Sequence, residues 1–576
     1  MAFCIKTNGK KIRYKYDEID KPYYSSLWED ENTICVFEGE FHSTEKYFHD
    51  INWKNVYKNI NDSFSFIQID KQKLIITFVT SKFGLENLFY FYDGENFCIS
   101  DSFWEIADLV CNSEGDISQE NVKEAMNGCY PIIDGTYLNN VFYVQPSIIG
   151  TYSQKDGLKL ERYFEFRYLP DEKMDNKKVS EEINRLIKKA IIKVKEECGD
   201  VRYAYGLSGG LDSRLISFYA KNLPIESFII GDPRPHRILL ANDHRNARKI
   251  ASLYGKNHTE CNWNLDVFNY VKLMDIKNDP MGAPQFFKGQ KEIDIDVLLT
   301  GGNGYIVGST IPDRIEELTE ENLAKVLLGL GREFIPRTQR SRHIEKAIKL
   351  ILNKDVQINS HKKWFEKIHS NSIEERMEKK YIEYIREEKL KGKKNIDIYE
   401  GYFHNILGAR NKYGGFESLS GTVRSFSIYN PHVLVESLKW PVEALKDRKA
   451  LKMLIKTHMP LAYDIGEQKY EGSLDEKKRG LFLKIINIFM FVLRGNGSEM
   501  VNSKYKYVRT LFVKEMKIPT KWFFNIFDIK NDIDAISRFD NKYAILKFWK
   551  IKIVLDMLET RQYKEYLSKS QYKDID

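Results

Sequence analysis

The stretch YAYGLSGGLDSRLISFYAKN, residues 203–222, holds the residue types best placed to do chemistry. An apolar run over 201–207 leads into Ser208-Gly209-Gly210-Leu211-Asp212-Ser213, and an apolar periodic segment follows to residue 222. Adjacent glycines turn the chain tightly and bring backbone N–H groups close to an anion. A helix opening behind them adds the positive end of its dipole, worth ~0.3–1 kcal/mol in an exposed setting. The hydroxyls of Ser208 and Ser213 can donate to phosphate oxygens. Asp212 repels a phosphate directly and makes sense beside one only through a bridging Mg²⁺. The Walker lysine is missing, and the loop is too short to wrap a β-phosphate. A helix capped after a plain glycine turn is the competing reading. The full S-G-G-x-D-S order between strand and helix favours an anion site.

The elements around this loop alternate. Strands are expected over 201–207, 225–230 and 293–299, and helices over 211–222 and 240–254, the last ended by Gly255. That rhythm implies a parallel sheet, with ligands at the carboxyl ends of its strands. Ahead of it, an amphipathic helix over 180–197 is expected to open at Ser180 with glutamate behind it. Residues 1–166 read differently. NTICVFEGEF, DSFSFIQID, KLIITFVTS, LFYFYD and NFCISDS are short strands, with DGEN and SQKDG as hairpin loops. The polar stretch YLPDEKMDNKKV over 168–179 is the expected boundary. Past residue 314 the chain turns helical. Ile373, Met377, Tyr381 and Tyr384 form one face of a charged helix whose other side is expected to be solvated, with Glu375 and Lys379 as an i,i+4 pair.

Composition bounds the function. The chain has 576 residues, enough for two to four domains. Its net charge of +7 comes from interleaved Lys/Arg and Asp/Glu, which argues against a nucleic-acid platform. MAFCIKTNGKKIRY has no apolar core of the kind a secretory signal needs. The greasiest segment, 481–494, contains Lys484 and Asn487, is shorter than the ~20 residues a bilayer requires, and is expected to be a buried helix. Seven cysteines without a C-x-x-C pair suggest reduced thiols in the cytoplasm and no zinc site.

SGGLDS resembles the pyrophosphate-binding loop of the ATP-pyrophosphatase superfamily, and its surroundings resemble the asparagine synthetase family. The segment 231–260, with Ala247, Ile250, Ala251 and a closing His258, is similar to that family's second strand and helix. RSFSIYNPHVLVESLKWPVEALKDRKALKMLIKTHMP, residues 424–460, resembles its C-terminal signature. FEGEF and NFCISDSFWEI are similar to its glutaminase-type domain. The resemblance implies an α/β fold. A parallel-sheet ATP-pyrophosphatase (adenine nucleotide alpha hydrolase-like) domain over 179–576 would be preceded by an α+β N-terminal-nucleophile-like sandwich over 1–168. It further implies ATP and Mg²⁺ as cofactors, a cytoplasmic enzyme, and Ser208, Gly209, Gly210, Leu211, Asp212 and Ser213 as the pyrophosphate loop. Lys469, in MPLAYDIGEQKYEGS, takes the place of the family's catalytic lysine. Arg448 and Lys452 on the helix before it are expected to serve packing and charge balance. Arg214 is expected either to touch phosphate or to face solvent, and 278–284 is a turn-rich loop where substrate could lie.

Two departures qualify the resemblance. The glutaminase half uses a cysteine exposed at the N-terminus, whose own amine acts as the base. Here Cys4 follows Met1-Ala2-Phe3, so it keeps an amide nitrogen unless residues 1–3 are removed, and it reads better as a small buried residue of the first strand. The second lies in LLTGGNGYIVGS, residues 298–309, where Asn303 stands in place of the metal-binding Asp and Thr300 in place of a glutamate, beside Gly301 and Gly302. Asn303 can offer a carbonyl oxygen without charge, leaving Asp212 as the carboxylate for the metal. The expected function is amide formation through an acyl-adenylate, on a small-molecule or peptide carboxyl group, with an amine other than glutamine-derived ammonia, and with no nucleic-acid or membrane partner. β-Lactam synthetases and the macrolactam-forming cyclases of lasso peptides share that architecture. An asparagine synthase-type amidotransferase using glutamine or free ammonia, and a scaffold without turnover, stay open beside it.

Overall fold

A computed structural model describes residues 3–8, 11–16, 25–39, 64–84, 88–128, 131, 133–231, 242–262, 295–302, 311, 314–328, 371–403, 424–466, 520–527, 542–567 and 571–575. The N-terminal strands are β1 (Phe3–Asn8), β2 (Lys11–Tyr16), β3 (Ser25–Glu29), β4 (Thr33–Gly39), β5 (Phe64–Asp70), β6 (Ile75–Thr80), β7 (Phe89–Tyr92) and β8 (Phe97–Ser100). Helices α1 (Phe103–Val110) and α2 (Gln119–Gly128) precede β9 (Val141–Tyr143), β10 (Ile148–Ser153) and β11 (Gly157–Arg162). DGEN and SQKDG sit in the β7–β8 and β10–β11 turns, as expected. Then come α3 (Asn176–Cys198), β12 (Tyr203–Gly206), α4 (Leu211–Tyr219), β13 (Ile225–Gly231), α5 (Asn242–Leu253), β14 (His258–Asn262) and β15 (Val297–Thr300). The remaining elements used below are α6 (Asn371–Leu390), β16 (Arg424–Ser427), α7 (Pro431–Ser437), α8 (Lys449–His458), α9 (Lys542–Thr560) and β17 (Lys573–Ile575).

Two antiparallel six-stranded sheets, ordered β17-β2-β1-β8-β7-β9 and β11-β10-β6-β5-β4-β3, form a sandwich. The strand period of two sorts their side chains. Phe3 and Ile5 of β1 join Ile67, Ile69, Ile76 and Phe78 in the core between the sheets. Cys4, between them in sequence, points the other way, toward Phe103, Ile106 and Ala107 of α1. Cys4 is buried in β1 with its Sγ 3.5 Å from that of Cys98, so its amide lies inside a paired strand. Six described cysteines are free thiols.

The third sheet is parallel, with order β14-β13-β12-β15-β16. Its strands are short and buried on both faces, as helix-covered parallel strands must be: Tyr203, Ala204 and Tyr205 of β12 and Val297, Leu298 and Leu299 of β15 are at most 3% exposed. The expected α/β architecture, a parallel-sheet unit preceded by an α+β sandwich, is present. In chain order these strands run 3-2-1-4-5, so the direction of winding reverses between β12 and β15. Such a switch point leaves a crevice at the carboxyl ends of the two strands.

Several local expectations are corrected. Helix α3 begins before Ser180, because Asp175 caps it by accepting the Lys178 N–H at 2.8 Å; Ser180 is buried within the helix. Strand β14, HTECN, is polar enough to read as loop, yet it pairs in parallel with β13 and makes β15 the fourth strand of the sheet rather than the third. The charged side of α6 is not wholly solvated. Arg376 and Lys380 reach the fully buried Glu124 of α2 at 3.1 and 2.6 Å. A carboxylate cannot remain charged in the interior without such partners, and these two bind the helix to the sandwich. No described helix is long and apolar enough to cross a membrane. Segments 278–284 and 481–494 lie outside the described residues.

Candidate active site

The loop after β12 stands at the switch point. Leu207 still belongs to the sheet edge, its N–H bonding to Phe228 at 2.7 Å, and Gly210 is the extended residue from which α4 starts. Ser208 Oγ accepts the Gly210 N–H at 3.0 Å, closing a small ring. Ser213 differs from expectation. Its hydroxyl is turned back onto the loop, donating to the Ser208 carbonyl at 3.0 Å, and the residue is only 7% exposed. In this arrangement it braces the loop from within, with the Gly210 carbonyl 3.3 Å away. The Leu211 side chain is buried in the core beneath, where it anchors the start of α4.

The turn after β15 closes against this loop. A Cβ on Gly301 would lie 2.6 Å from the Asp212 Cβ, so only glycine allows the approach. Thr300 is buried; its Oγ1 accepts the Gly302 N–H at 3.2 Å and its carbonyl accepts from Ile428 at 3.0 Å. Ser427 donates to the Gly302 carbonyl at 2.5 Å. Thr300 and Gly302 therefore hold the turn, and Gly301 makes room for Asp212. Replacing Gly301 by Ala is expected to cost about 1–3 kcal/mol of overpacking and to displace the carboxylate. A lowered melting temperature together with weakened nucleotide binding checks this; wild-type values in both refute it.

Both oxygens of Asp212 have donors. Tyr429 Oη donates to Oδ1 at 2.7 Å, and Arg448 Nη1 to Oδ2 at 2.9 Å. Tyr429 follows β16 at the carboxyl edge of the sheet and is fully buried. Burial first, and the Asp212 carboxylate second, hold its hydroxyl well above the ordinary tyrosine range, so it stays a donor. Arg448 precedes α8 in the left-handed region, at φ 56° and ψ 39°. It does balance charge, as expected, but the charge is that of Asp212. Neither Tyr429 nor Arg448 was identified with the site from sequence; the only cue is that both lie in the 424–460 segment that resembles the family signature.

Arg214 does not face solvent. It is fully buried and donates to the carbonyls of Gly209 at 2.7 Å, Ala462 and Ile465 at 2.8 Å, and also Gly466. Asn246 of α5 adds a bond to Gly466 at 3.0 Å. The glycine loop and segment 462–466 are thereby bound to one guanidinium. His258 sits at the amino end of β14, opposite the loop, with Nδ1 2.9 Å from Ser227 Oγ. Burial lowers its pKa below the ordinary 6.5, outweighing the raising effect of Glu260. The unfolded chain therefore takes up a proton first, and stability falls as pH drops through about 6.5 toward the lowered folded value. Melting temperature should decline from pH 7.5 to 5.5, and less so in His258→Asn, which keeps a partner for Ser227; an equal decline in both proteins contradicts this.

Asn303 and Lys469 lie outside the described residues. Among the described residues no group of three His, Cys, Asp or Glu could hold a metal by itself. One hard carboxylate at the mouth of a glycine loop fits Mg²⁺ that is shared with phosphate oxygens, since that ion is commonly held by one or two carboxylates plus substrate phosphates.

No protein-family model matches the chain, and no curated protein does. Among solved structures the chain is similar to the glutamine phosphoribosylpyrophosphate amidotransferase of B. subtilis, with 10% identity, 46% of this chain and 85% of that one covered, and a TM-score of 0.19. It is also similar to the U34-tRNA thiolase NcsA of Methanococcus maripaludis, at 14% identity, 60% and 86% covered, TM-score 0.20. The NH3-dependent NAD synthetase of Campylobacter jejuni matches at 15%, with 44% and 99% covered and a TM-score of 0.18. All three scores are far below 0.5; the fold is defined by the strand order given above.

Proposed function

We propose that this chain is an ATP-dependent carbon–nitrogen ligase that activates a carboxyl group as an acyl-adenylate. The observation that carries the reading is Asp212, set two residues past a Ser-Gly-Gly turn at the switch point of a 3-2-1-4-5 parallel sheet and packed against Gly301. A carboxylate oxygen of the substrate attacks the α-phosphorus, the α–β bond breaks, and pyrophosphate leaves. An amine then attacks the acyl carbon, yielding an amide and AMP. Gly209 and Gly210 line the pyrophosphate position at the positive end of α4, where developing charge is stabilised. Mg²⁺, held by Asp212 with Asn303 as a neutral ligand, would neutralise phosphate charge. Tyr429 orients the Asp212 carboxylate, and Lys469, three residues beyond the anchored Gly466, supplies the further cation. Thr300, Gly301 and Gly302 border the substrate side.

In this reading residues 1–168 form a glutaminase-like unit without its nucleophile, and 179–576 the synthetase. Contacts tie the two: Tyr168 donates its N–H to Asp397 at 2.7 Å, and β17 pairs with β2. The amine is then not glutamine-derived ammonia, and lactam or lasso-peptide cyclisation is within this chemistry. The test is calorimetry of ATP with and without Mg²⁺, followed by product analysis with pooled carboxylic acids and amines. Mg²⁺-dependent binding with release of AMP and pyrophosphate supports the ligase; ADP and phosphate as products, or no binding, refutes it. Asn303 and Thr300, which replace two acidic residues of the family pattern, favour a second reading as a scaffold without turnover, for which neither binding nor products are expected.

A further inference from the structure

Asp212 has no oxygen clear of donors. Tyr429 Oη is 2.7 Å from Oδ1 and Arg448 Nη1 is 2.9 Å from Oδ2. Mg²⁺ requires an oxygen in its inner shell at about 2.0–2.1 Å. A guanidinium and a divalent cation cannot both sit on Oδ2 at these distances without strong like-charge repulsion. Of the two donors, Tyr429 is the fixed one: it is fully buried and its backbone N–H is bonded to Ser427 Oγ at 3.1 Å. Arg448 is the one that can leave. Its side chain is 29% exposed, against 23% for Asp212, so it has solvent on one side into which to turn. Its backbone is also held at φ 56°, a region arginine rarely adopts, between two helical turns.

We propose that Arg448 is the resident counter-ion of Asp212, which a nucleotide-bound divalent cation displaces, so that the guanidinium passes from the carboxylate to the phosphates. This rests on reading Asp212 as the metal-bridging carboxylate. It gives the site an order of assembly: free metal competes poorly with an attached guanidinium, whereas metal that arrives with phosphates brings the guanidinium a new anion in exchange. Arginine suits such a transfer, because its planar fork matches carboxylate and phosphate alike and its charge never titrates away.

The probe is Mn²⁺, followed by electron paramagnetic resonance, first without nucleotide and then with ATP. The proteins are the wild type, Arg448→Gly, Asp212→Asn and the double variant. Glycine adopts the left-handed backbone freely, so Arg448→Gly is expected to fold, and Arg448→Gln provides a second neutral variant. Without nucleotide, Arg448→Gly should bind Mn²⁺ about tenfold more tightly than the wild type, the size of a lost charge-assisted competitor, and the double variant should lose that gain. With ATP present the order reverses, the wild type binding Mn²⁺·ATP more tightly. Equal Mn²⁺ affinity in folded wild type and both neutral variants overturns the proposal, and equal Mn²⁺·ATP affinity overturns the transfer to phosphate. If the wild type binds no ATP at all the ligase reading falls, while the nucleotide-free comparison still decides whether Arg448 guards Asp212.

Discussion

Asp212→Asn is expected to reduce the affinity for Mg²⁺·ATP about 100-fold while leaving the protein folded. The amide is nearly isosteric and its carbonyl still accepts the Tyr429 hydroxyl, so the buried phenol keeps a partner. What is removed is the charge. A charge-assisted contact is worth about 1.5–3 kcal/mol, and the upper part of that range corresponds to about 100-fold. Of the carboxylates described in 424–460, Glu436 is engaged by Lys439 at 2.8 Å and Glu443 by Lys446 and Lys449 at 3.2 and 3.0 Å. Asp212→Ala should lose the same affinity and also stability, since it leaves Tyr429 without its acceptor. Calorimetry beside thermal melting separates the two variants. ATP affinity unchanged in Asp212→Asn refutes the role given to this residue.

The second large effect concerns stability. Arg214→Met should destabilise the protein by about 4 kcal/mol or more, well above the usual cost of a single substitution. The guanidinium is fully buried and serves carbonyls of Gly209, Ala462, Ile465 and Gly466. A hydrophobe of similar length fills the volume but removes the charged donor these carbonyls share, each such bond being worth about 1.5–3 kcal/mol before relaxation. Ala462 and Gly466 retain the Ile465 N–H and Asn246 as donors. Lysine should not rescue, because a point charge on a flexible stem cannot reach divergent carbonyls as a planar fork does. Urea denaturation measures the loss, and hydrogen exchange should show faster exchange at residues 462–466 and in the glycine loop together. A wild-type denaturation midpoint in Arg214→Lys contradicts this account.

The contrast between Arg214 and Asp212 shows how far sequence reasoning extends here. They are two residues apart in one motif, and the pattern Ser-Gly-Gly-x-Asp-Ser after an apolar run already implied a strand, a tight turn and a helix N-terminus at that point. Those features are local: backbone freedom at glycine and side-chain period act over a few residues, so they are legible in the chain. The sandwich strands were legible for the same reason, with alternation and turn chemistry marking β4 to β8. Strand β14 was not, because an edge strand with polar side chains has no apolar run to announce it, and its place depends on the β13 backbone it pairs with.

What the sequence by itself determined, then, is the loop and the alternation of strands and helices behind it. What the tertiary structure alone decided is which partners those residues have. Tyr429 and Arg448 meet Asp212 across 217 and 236 positions, and Arg214 reaches Ala462 across 248. No periodicity links residues so far apart. An arginine reads the same in sequence whether it faces water, phosphate or four buried carbonyls. Its role is set by the winding reversal between β12 and β15, which brings the ends of both strands and the segment after β16 to one crevice, and by the cost of leaving any charge or carbonyl there without a partner.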